Sequence, residues 1–177
     1  MNPLDLINKY TTNEQQRHIL LVHSRAVADK ALEIVHRHPE WNVDERFVEE
    51  AALLHDIGIV QVNAPAIECH GTEPYICHGI LGAEILRSER LERHALVCER
   101  HTGTGLTLQH IVEQGLPLPQ QDMQPVSLEE QIICFADKFF SKTRLDTEKS
   151  VKQARRSLEK FGEGGLKKFD VWCSMFL

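Results

Sequence analysis

The sequence lacks any apolar run long enough to cross a membrane, and it has no excess of positive charge. A spanning helix needs about 20 consecutive apolar residues, and no such run occurs. The formal net charge is −6 at pH 7, which argues against a protein that coats nucleic acid, because phosphate binding requires a basic face. A small phosphorylated substrate remains compatible, since it needs only a local basic pocket.

The sequence is also short of paired cysteines. It has 5 cysteines, an odd number with no Cys-x-x-Cys pair, which argues against a zinc-finger-like site. We interpret them as free thiols in a reducing cytoplasm, packed as small apolar residues. Residues 1–10 lack a basic segment followed by an apolar one, so we expect no secretory signal and a cytoplasmic location.

Alternation typical of a β-strand is absent, whereas apolar residues recur at spacings of three and four along most of the chain. With 177 residues, 42% of them hydrophobic, the chain predicts one all-α domain over residues 1–177, a helical bundle with a core of about 18–145. We expect a short helix that begins at residues 2–3, helices over residues 13–36, 44–55, 76–88, 91–101 and 108–114, a helix that begins at residue 127 and carries Asp137, Ser141 and Arg144 on one side, and helices over residues 147–160 and 166–177. The last two would pack on the core, with a solvated outer face and glycines 162–165 between them.

An imidazole and a carboxylate stand side by side at His55 and Asp56, after the small apolar run Ala51–Leu54. Both groups are good ligands for divalent transition metals. Gly58 is interpreted as the stop of this helix. Two adjacent residues cannot complete a metal site, so further ligands are required.

Other candidates stand on apolar faces or at helix ends. The chain has 10 histidines, and most of them have no such context. His23 lies on the apolar stripe of the second helix, where a buried structural role is the alternative to a metal ligand. Asp137 lies in the most apolar helix and needs a cation, a hydrogen-bond network or a metal. The candidate ligands are His23, His55, Asp56, His78, His101 and Asp137.

Four imidazoles and two carboxylates suit Fe, Mn, Co, Ni or Zn better than Mg or Ca. Six ligands exceed the need of one tetrahedral site, so one or two ions can be accommodated, and Asp56 is the candidate bridge. Two neighbouring cations can activate a shared hydroxide and neutralise a phosphoryl oxygen, as in phosphoester hydrolysis.

The order His23, His55-Asp56, Asp137 resembles the HD-domain superfamily, and Leu54–Gly58 is similar to its HDIG variant. The further histidines His78 and His101 resemble the subset of that superfamily with dinuclear sites. The segments 99–103, 115–117, 128–130 and 136–138 resemble a small family of stand-alone HDIG proteins. The similarity covers residues 18–145.

The resemblance implies a helical bundle around the metals and phosphohydrolase activity. It implies that His23, His55, Asp56 and Asp137 hold a first ion, and that Asp56, His78 and His101 hold a second. A cyclic-dinucleotide esterase is disfavoured because no Gly-Tyr-Pro element follows the third histidine. A dinucleoside-tetraphosphate hydrolase is disfavoured because Lys138–Ser141 replaces the expected sequence after the last aspartate.

The leading hypothesis is therefore a metal-dependent phosphohydrolase acting on a small nucleotide or another phosphoester through a metal-bound hydroxide. Phosphate would be bound by Lys138, Lys142, Arg144 or the Thr102–Gly105 turn. His70, in the long loop 61–75, would protonate the leaving oxygen. Surface positions without a chemical role are the alternative for these side chains.

Two other functions remain open from the sequence. A di-iron oxygenase uses the same ligand order, and a non-catalytic metal-binding or ligand-binding module would keep the ligands without the reaction. The oligomeric state, a homodimer included, is also open.

Overall fold

The computed structural model describes residues 2–177, and its secondary structure is almost entirely helical. The helices are α1 Pro3–Tyr10, α2 Glu14–Arg37, α3 Glu45–Leu54, α4 His78–Ser88, α5 Glu92–Arg100, α6 Leu108–Glu113, α7 Leu128–Asp137, α8 Val151–Ser157 and α9 Gly162–Phe176. The described strands, β1 Asn63–Ala64 and β2 Cys69–His70, pair antiparallel in the long loop. The all-α prediction is confirmed. No helix within residues 2–177 combines the length and the apolar character needed to cross a bilayer.

Two apolar clusters make up most of the core. The larger one joins α2, α3 and α7 to α8 and α9, and it includes the buried rings of Phe135, Phe169 and Trp172. The smaller one joins α1 and the start of α2 to α4 and α5. α2 and α3 contribute to both clusters, so the ligands that they carry lie where the clusters meet.

The predicted helix starts are confirmed by their capping contacts. The Asn13 side chain accepts hydrogen bonds from the backbone amides of Gln15 and Gln16 at the start of α2. Ser127 and Glu130 form a reciprocal capping box at the start of α7. These caps fix where the helices that carry His23 and Asp137 begin.

Gly58 has a different role from the predicted helix stop. It lies in the 3₁₀ turn Ile57–Gln61, and a Cβ atom there would be 2.0 Å from the carbonyl oxygen of His78 and 2.3 Å from the backbone nitrogen of Gly82. The glycine is therefore required because α4 approaches the backbone closely at this point.

α7 ends earlier than its apolar pattern predicts. The helix stops at Asp137, and the chain then turns, with a bridge between Ser141 and Arg144. Since residues 138–144 are not helical, Arg144 is not on the Asp137 side of a helix, and it is exposed.

The C-terminal segment also departs from its predicted form. Glycines 162, 164 and 165 lie in the first turn of α9 rather than between two helices. The helix α8 is shorter than predicted and is followed by the 3₁₀ turn Glu159–Phe161. This segment forms one wall of the cavity described below, so it is more than a solvated face.

Candidate metal centre

Five helices bring the six predicted ligands together. His23 lies in the middle of α2, His78 is the first residue of α4 and Asp137 is the last residue of α7. His55 and Asp56 follow the end of α3, and His101 follows the end of α5. All are buried except Asp137, whose side chain is 12% exposed.

The ligand atoms form two groups that share Asp56. In the first, Asp56 Oδ2 lies 3.1 Å from His23 Nε2 and 3.0 Å from His55 Nε2. Asp137 Oδ1 lies 3.1 Å and 3.4 Å from the same two nitrogens. In the second, Asp56 Oδ1 lies 3.5 Å from His78 Nε2 and 3.4 Å from His101 Nε2. Asp56 thus presents one oxygen to each group, as a bridging carboxylate requires.

Three of the histidines are oriented by the same backbone contact. The Nδ1 atoms of His55, His78 and His101 each lie 2.7 Å from a carbonyl oxygen three residues earlier. Each Nδ1–H donates to that oxygen, which leaves Nε2 facing the cluster. A second hydrogen bond of this kind is the usual support of a metal-ligating imidazole.

The residues fit a divalent transition metal. Both oxygens of Asp56 and Nε2 of His55 are buried, and within the described chain none of these atoms makes a well-directed hydrogen bond. Polar atoms without directed hydrogen bonds at such depth are costly. Lys142 compensates part of the charge of Asp56, and a cation between the two groups would compensate what remains. The combination of imidazole and carboxylate ligands favours a transition metal.

Protonation of the metal-free cluster suits ligand roles at Asp56 and His78 but not at His55. Burial opposes a charge on His55, but Asp56 outweighs it and raises the pKa of this imidazole to about 9, so a bound metal would displace a proton from it. Burial opposes ionisation of Asp56, but the charges of His55 and Lys142 outweigh it and hold the pKa of this carboxyl well below its usual range. Burial, aided by His101, lowers the pKa of His78 to about 3. The carboxylate is therefore charged and the imidazole of His78 neutral, which are the states that bind metal.

Two lysines approach the carboxylates. Lys142 Nζ lies 2.5 Å from Asp56 Oδ2 and 3.2 Å from the Tyr75 hydroxyl. Lys138 Nζ lies 2.8 Å from Asp137 Oδ2 and donates to the His101 carbonyl oxygen at 2.9 Å. Burial opposes a charge on Lys142, but Asp56 outweighs it, so the pKa of this lysine is raised. Both ammonium groups are therefore held at the cluster.

A cavity of about 410 Å³ opens onto the cluster, with His78, His101 and Asp137 in its lining. Of the predicted substrate residues, Lys138, Lys142 and Thr102 line it. The structure also brings there side chains that the sequence analysis did not select, namely Tyr75, Phe140, Lys149, Lys160 and Phe161. Tyr75 stacks on His78 with 4.7 Å between ring centroids.

Two predicted residues do not reach the cavity. The His70 side chain is 60% exposed, and its Nε2 atom lies 3.4 Å from the Glu68 carboxylate. The hairpin of β1 and β2 turns it outward, because neighbouring residues of a strand point to opposite sides and Cys69 is the buried one. Arg144 is exposed beyond the end of α7. Neither side chain belongs to the lining.

Comparison with known proteins identifies the family. The HD domain family matches residues 20–141, which contain all six ligands. The chain belongs to the HD domain family. The resemblance of the sequence is therefore confirmed, and the metal-binding cluster is the one expected of an HD domain.

Named relatives share most of this HD domain. An uncharacterized protein of Methanocaldococcus jannaschii is 36% identical over 142 residues, 78% of this chain and 76% of that protein. A tRNA (cytidine(56)-2'-O)-methyltransferase of Thermoplasma volcanium is 33% identical over 139 residues, 78% of this chain but 35% of its own length. A protein of the same name from Picrophilus torridus is 38% identical over 103 residues, 26% of its length. No solved structure matches the chain.

The sequence signal for the missed cavity residues was weak. Tyr75 precedes His78 by one turn and lies in a loop without periodicity. Lys149, Lys160 and Phe161 lie outside the matched HD domain region, in a segment whose mixed charges are typical of a solvated surface. Only the tertiary fold brings them to the cluster.

Proposed function

We propose that this HD domain protein is a metal-dependent phosphohydrolase acting on a small nucleotide or another phosphoester. The observation that carries the proposal is the juxtaposition of the buried His/Asp cluster with four lysines in one cavity. The chain as a whole has a net charge of −6, so this local excess of positive charge is a specific feature. It suits an anionic substrate.

Asp56 is central to the proposed site. One ion would be held by His23, His55, Asp56 and Asp137, and a second by Asp56, His78 and His101. Bound there, such ions would activate water and neutralise charge on the phosphoryl group. The backbone carbonyls that accept from Nδ1 of three of these histidines keep their Nε2 atoms aimed inward.

Lys138 and Lys142 are proposed to bind the phosphoryl oxygens. Each ammonium now lies within 2.8 Å of a carboxylate of the cluster. A cation that takes over those carboxylate oxygens would leave the ammonium groups available for a substrate anion. Positioned cations of this kind stabilise charge that develops in phosphoryl transfer.

Tyr75 is proposed to replace His70 as the source of a proton for the leaving oxygen. The Tyr75 hydroxyl lies in the cavity, 3.2 Å from Lys142 Nζ. Its stacking on His78 fixes the ring beside the cluster. His70 is assigned no role in the reaction, because its side chain is turned outward.

The remaining lining suits a nucleotide. Phe140 and Phe161 offer aromatic surface for a base, and Thr102 offers a hydroxyl to a phosphate or a sugar. Hydrolysis is proposed over oxygenase chemistry because phosphohydrolases predominate in the HD family. Methyl transfer is not proposed for this chain, since the two relatives with that name have most of their length outside the matched region.

A phosphoester panel tests the proposal. The protein is stripped with chelator, loaded separately with Mn, Fe, Co, Ni or Zn, and assayed for phosphate release from nucleoside mono-, di- and triphosphates and from p-nitrophenyl phosphate. We expect turnover with at least one metal and a loss of about 100-fold or more in Asp56→Asn. Oxygen consumption without phosphate release would support the oxygenase instead and refute hydrolysis.

A further inference from the structure

The outer wall of the cavity comes from a part of the chain that the HD domain match does not include. That match ends at residue 141, whereas Lys149, Ser157, Leu158, Lys160 and Phe161 all line the cavity. These residues belong to α8, the turn after it and the segment just before it. The match to the family therefore ends beside the metal cluster, and this wall lies outside it.

The two lysines of this wall differ from those at the metal cluster. Lys138 and Lys142 are each paired with a cluster carboxylate. Within residues 2–177, neither Lys149 nor Lys160 forms an ion pair with a carboxylate, and both line the cavity. Lys149 Nζ is directed to the carbonyl oxygens of Lys138 and Phe140 at 3.4 and 3.5 Å. The charge of Lys160 is thus uncompensated within the described chain.

Lys160 is held on a fixed support. Phe161 packs its ring on Gly103, where an added Cβ atom would lie 3.1 Å from the ring. The amide of Phe161 donates to the Leu158 carbonyl oxygen at 2.9 Å, which closes the turn. Lys160 Nζ lies 5.1 Å from the Phe161 ring centroid. The backbone at Lys160 is therefore positioned by the half-buried Phe161, although the Lys160 side chain itself is exposed.

With ions at the metal cluster, the positive charge of the cavity exceeds what a single phosphoryl group compensates. Four lysines line it, and Asp137 is the carboxylate of the described lining, with Asp56 beneath. Ions at the cluster would compensate the two aspartates and add to the excess. A ligand with a second anionic group would compensate the lysines of the outer wall.

We infer that residues 149–161 form a second anion subsite, with Lys160 as the residue that selects ligands carrying a phosphoryl group beyond the one at the metal cluster. This inference rests on the proposed function and names its substrate class: small phosphoesters with at least two phosphoryl groups. Lys160 is a specificity residue here and takes no part in bond cleavage.

The test measures binding without turnover. Protein loaded with Mn²⁺ and desalted is titrated by calorimetry with inorganic phosphate and with the non-hydrolysable phosphonate analogues of pyrophosphate and tripolyphosphate, in the wild type, Lys160→Gln and Lys160→Arg. Lys152→Gln is the matched control, since Lys152 is exposed on α8 and does not line the cavity. We expect Lys160→Gln to weaken the binding of the two longer anions about three- to tenfold, the range of a partly exposed charge contact. Phosphate binding should stay within twofold, roughly experimental scatter.

The controls decide between a subsite and a general charge effect. We expect Lys160→Arg to restore most of the lost affinity and Lys152→Gln to bind all three anions as the wild type does. The inference is overturned if Lys160→Gln reduces the affinity for no anion more than Lys152→Gln does. It is equally overturned if the affinities for phosphate and for the longer anions fall by the same factor.

The result of this binding test can be distinguished from the result of the phosphoester assay that tests the proposed function. A selective loss in Lys160→Gln with no phosphoester turnover by the loaded protein would support the subsite and refute the hydrolase. Turnover combined with unchanged anion selectivity in Lys160→Gln would support the hydrolase and refute the subsite. For an active protein, the subsite also predicts a higher KM of Lys160→Gln for nucleoside di- and triphosphates, with kcat little changed.

Discussion

His78 Nε2 lies 3.0 Å from His101 Nε2, while the Nδ1 atom of each ring donates to the backbone carbonyl oxygen three residues earlier. With both Nδ1 atoms protonated, two lone pairs face each other in a buried site. This arrangement is unfavourable unless a cation lies between the two nitrogens or beside them. The fold thus holds the two imidazoles in an arrangement that a bound metal would stabilise.

The first prediction concerns metal and stability. A metal that binds only the folded protein stabilises it by about 2.7 kcal/mol at 100 times its Kd. For a chain of this size we expect a rise in Tm of about 5–10 °C. Thermal unfolding in chelator and in excess Mn²⁺ measures it. His78→Ala should reduce the rise, and a Tm that is independent of metal would contradict the prediction.

Gly58→Ala should destabilise the protein strongly. The added methyl group would overlap the His78 carbonyl oxygen and the backbone of Gly82, so α4 would have to move away from the 3₁₀ turn. We expect a loss of about 3 kcal/mol in the free energy of unfolding, measured by urea denaturation. Gly164→Ala is the control, because nothing lies within 4 Å of its added Cβ atom. Equal stability of the two variants would refute this close approach.

The loss of stability caused by Lys142→Met should differ between the metal-free and the metal-bound protein. Without metal, the substitution leaves the buried Asp56 carboxylate without its ammonium partner at 2.5 Å. Removal of one member of a buried pair costs about 3–5 kcal/mol. In excess metal the cost should be much smaller, because a cation then compensates Asp56. Urea denaturation with and without chelator measures the loss in the free energy of unfolding in each condition. An equal loss in both would show that a metal does not replace Lys142 as the partner of Asp56.

Thiol labelling should distinguish Cys173 from the other cysteines. Cys69, Cys77, Cys98 and Cys134 are buried, whereas Cys173 is half-buried. Burial also raises the pKa of Cys134 to about 11, so almost no reactive thiolate forms there at neutral pH. With a disulfide reagent at pH 7.5 we expect one thiol to react in the native protein and all 5 in denaturant. Rapid reaction of Cys134 would contradict the packing of α7.

The sequence predicted the members of the His/Asp cluster better than the lining of the cavity, and the reason is physical. A His or Asp at a helix end or within an apolar helix is conspicuous, because burial of such groups is costly, so His55, Asp56 and Asp137 could be identified locally. Asn13 and Ser127 were identifiable because helix caps are local as well. The stop of α7 at Asp137 could not be foreseen, since Phe139 and Phe140 continue the apolar pattern.

The outer wall of the cavity could not be predicted, because it is formed by contacts between residues that are distant in sequence. Gly103 and Phe161 are separated by 58 positions, and nothing local to either residue indicates that they touch. Gly58 was interpreted as a helix stop because a glycine after a helix is common there. The close approach of α4 that requires it appears only in the tertiary structure.

The central claim is that this HD domain holds divalent metal at a cluster shared through Asp56, and metal analysis of the purified protein tests it most directly. After stripping and reloading with excess Mn²⁺ or Fe²⁺, followed by desalting, the wild type and His70→Ala should both retain about two ions per chain. His101→Ala should lose about one of them and Asp56→Asn nearly all. If Asp56→Asn retains as much metal as the wild type, or if the reloaded wild type retains none, the account is contradicted.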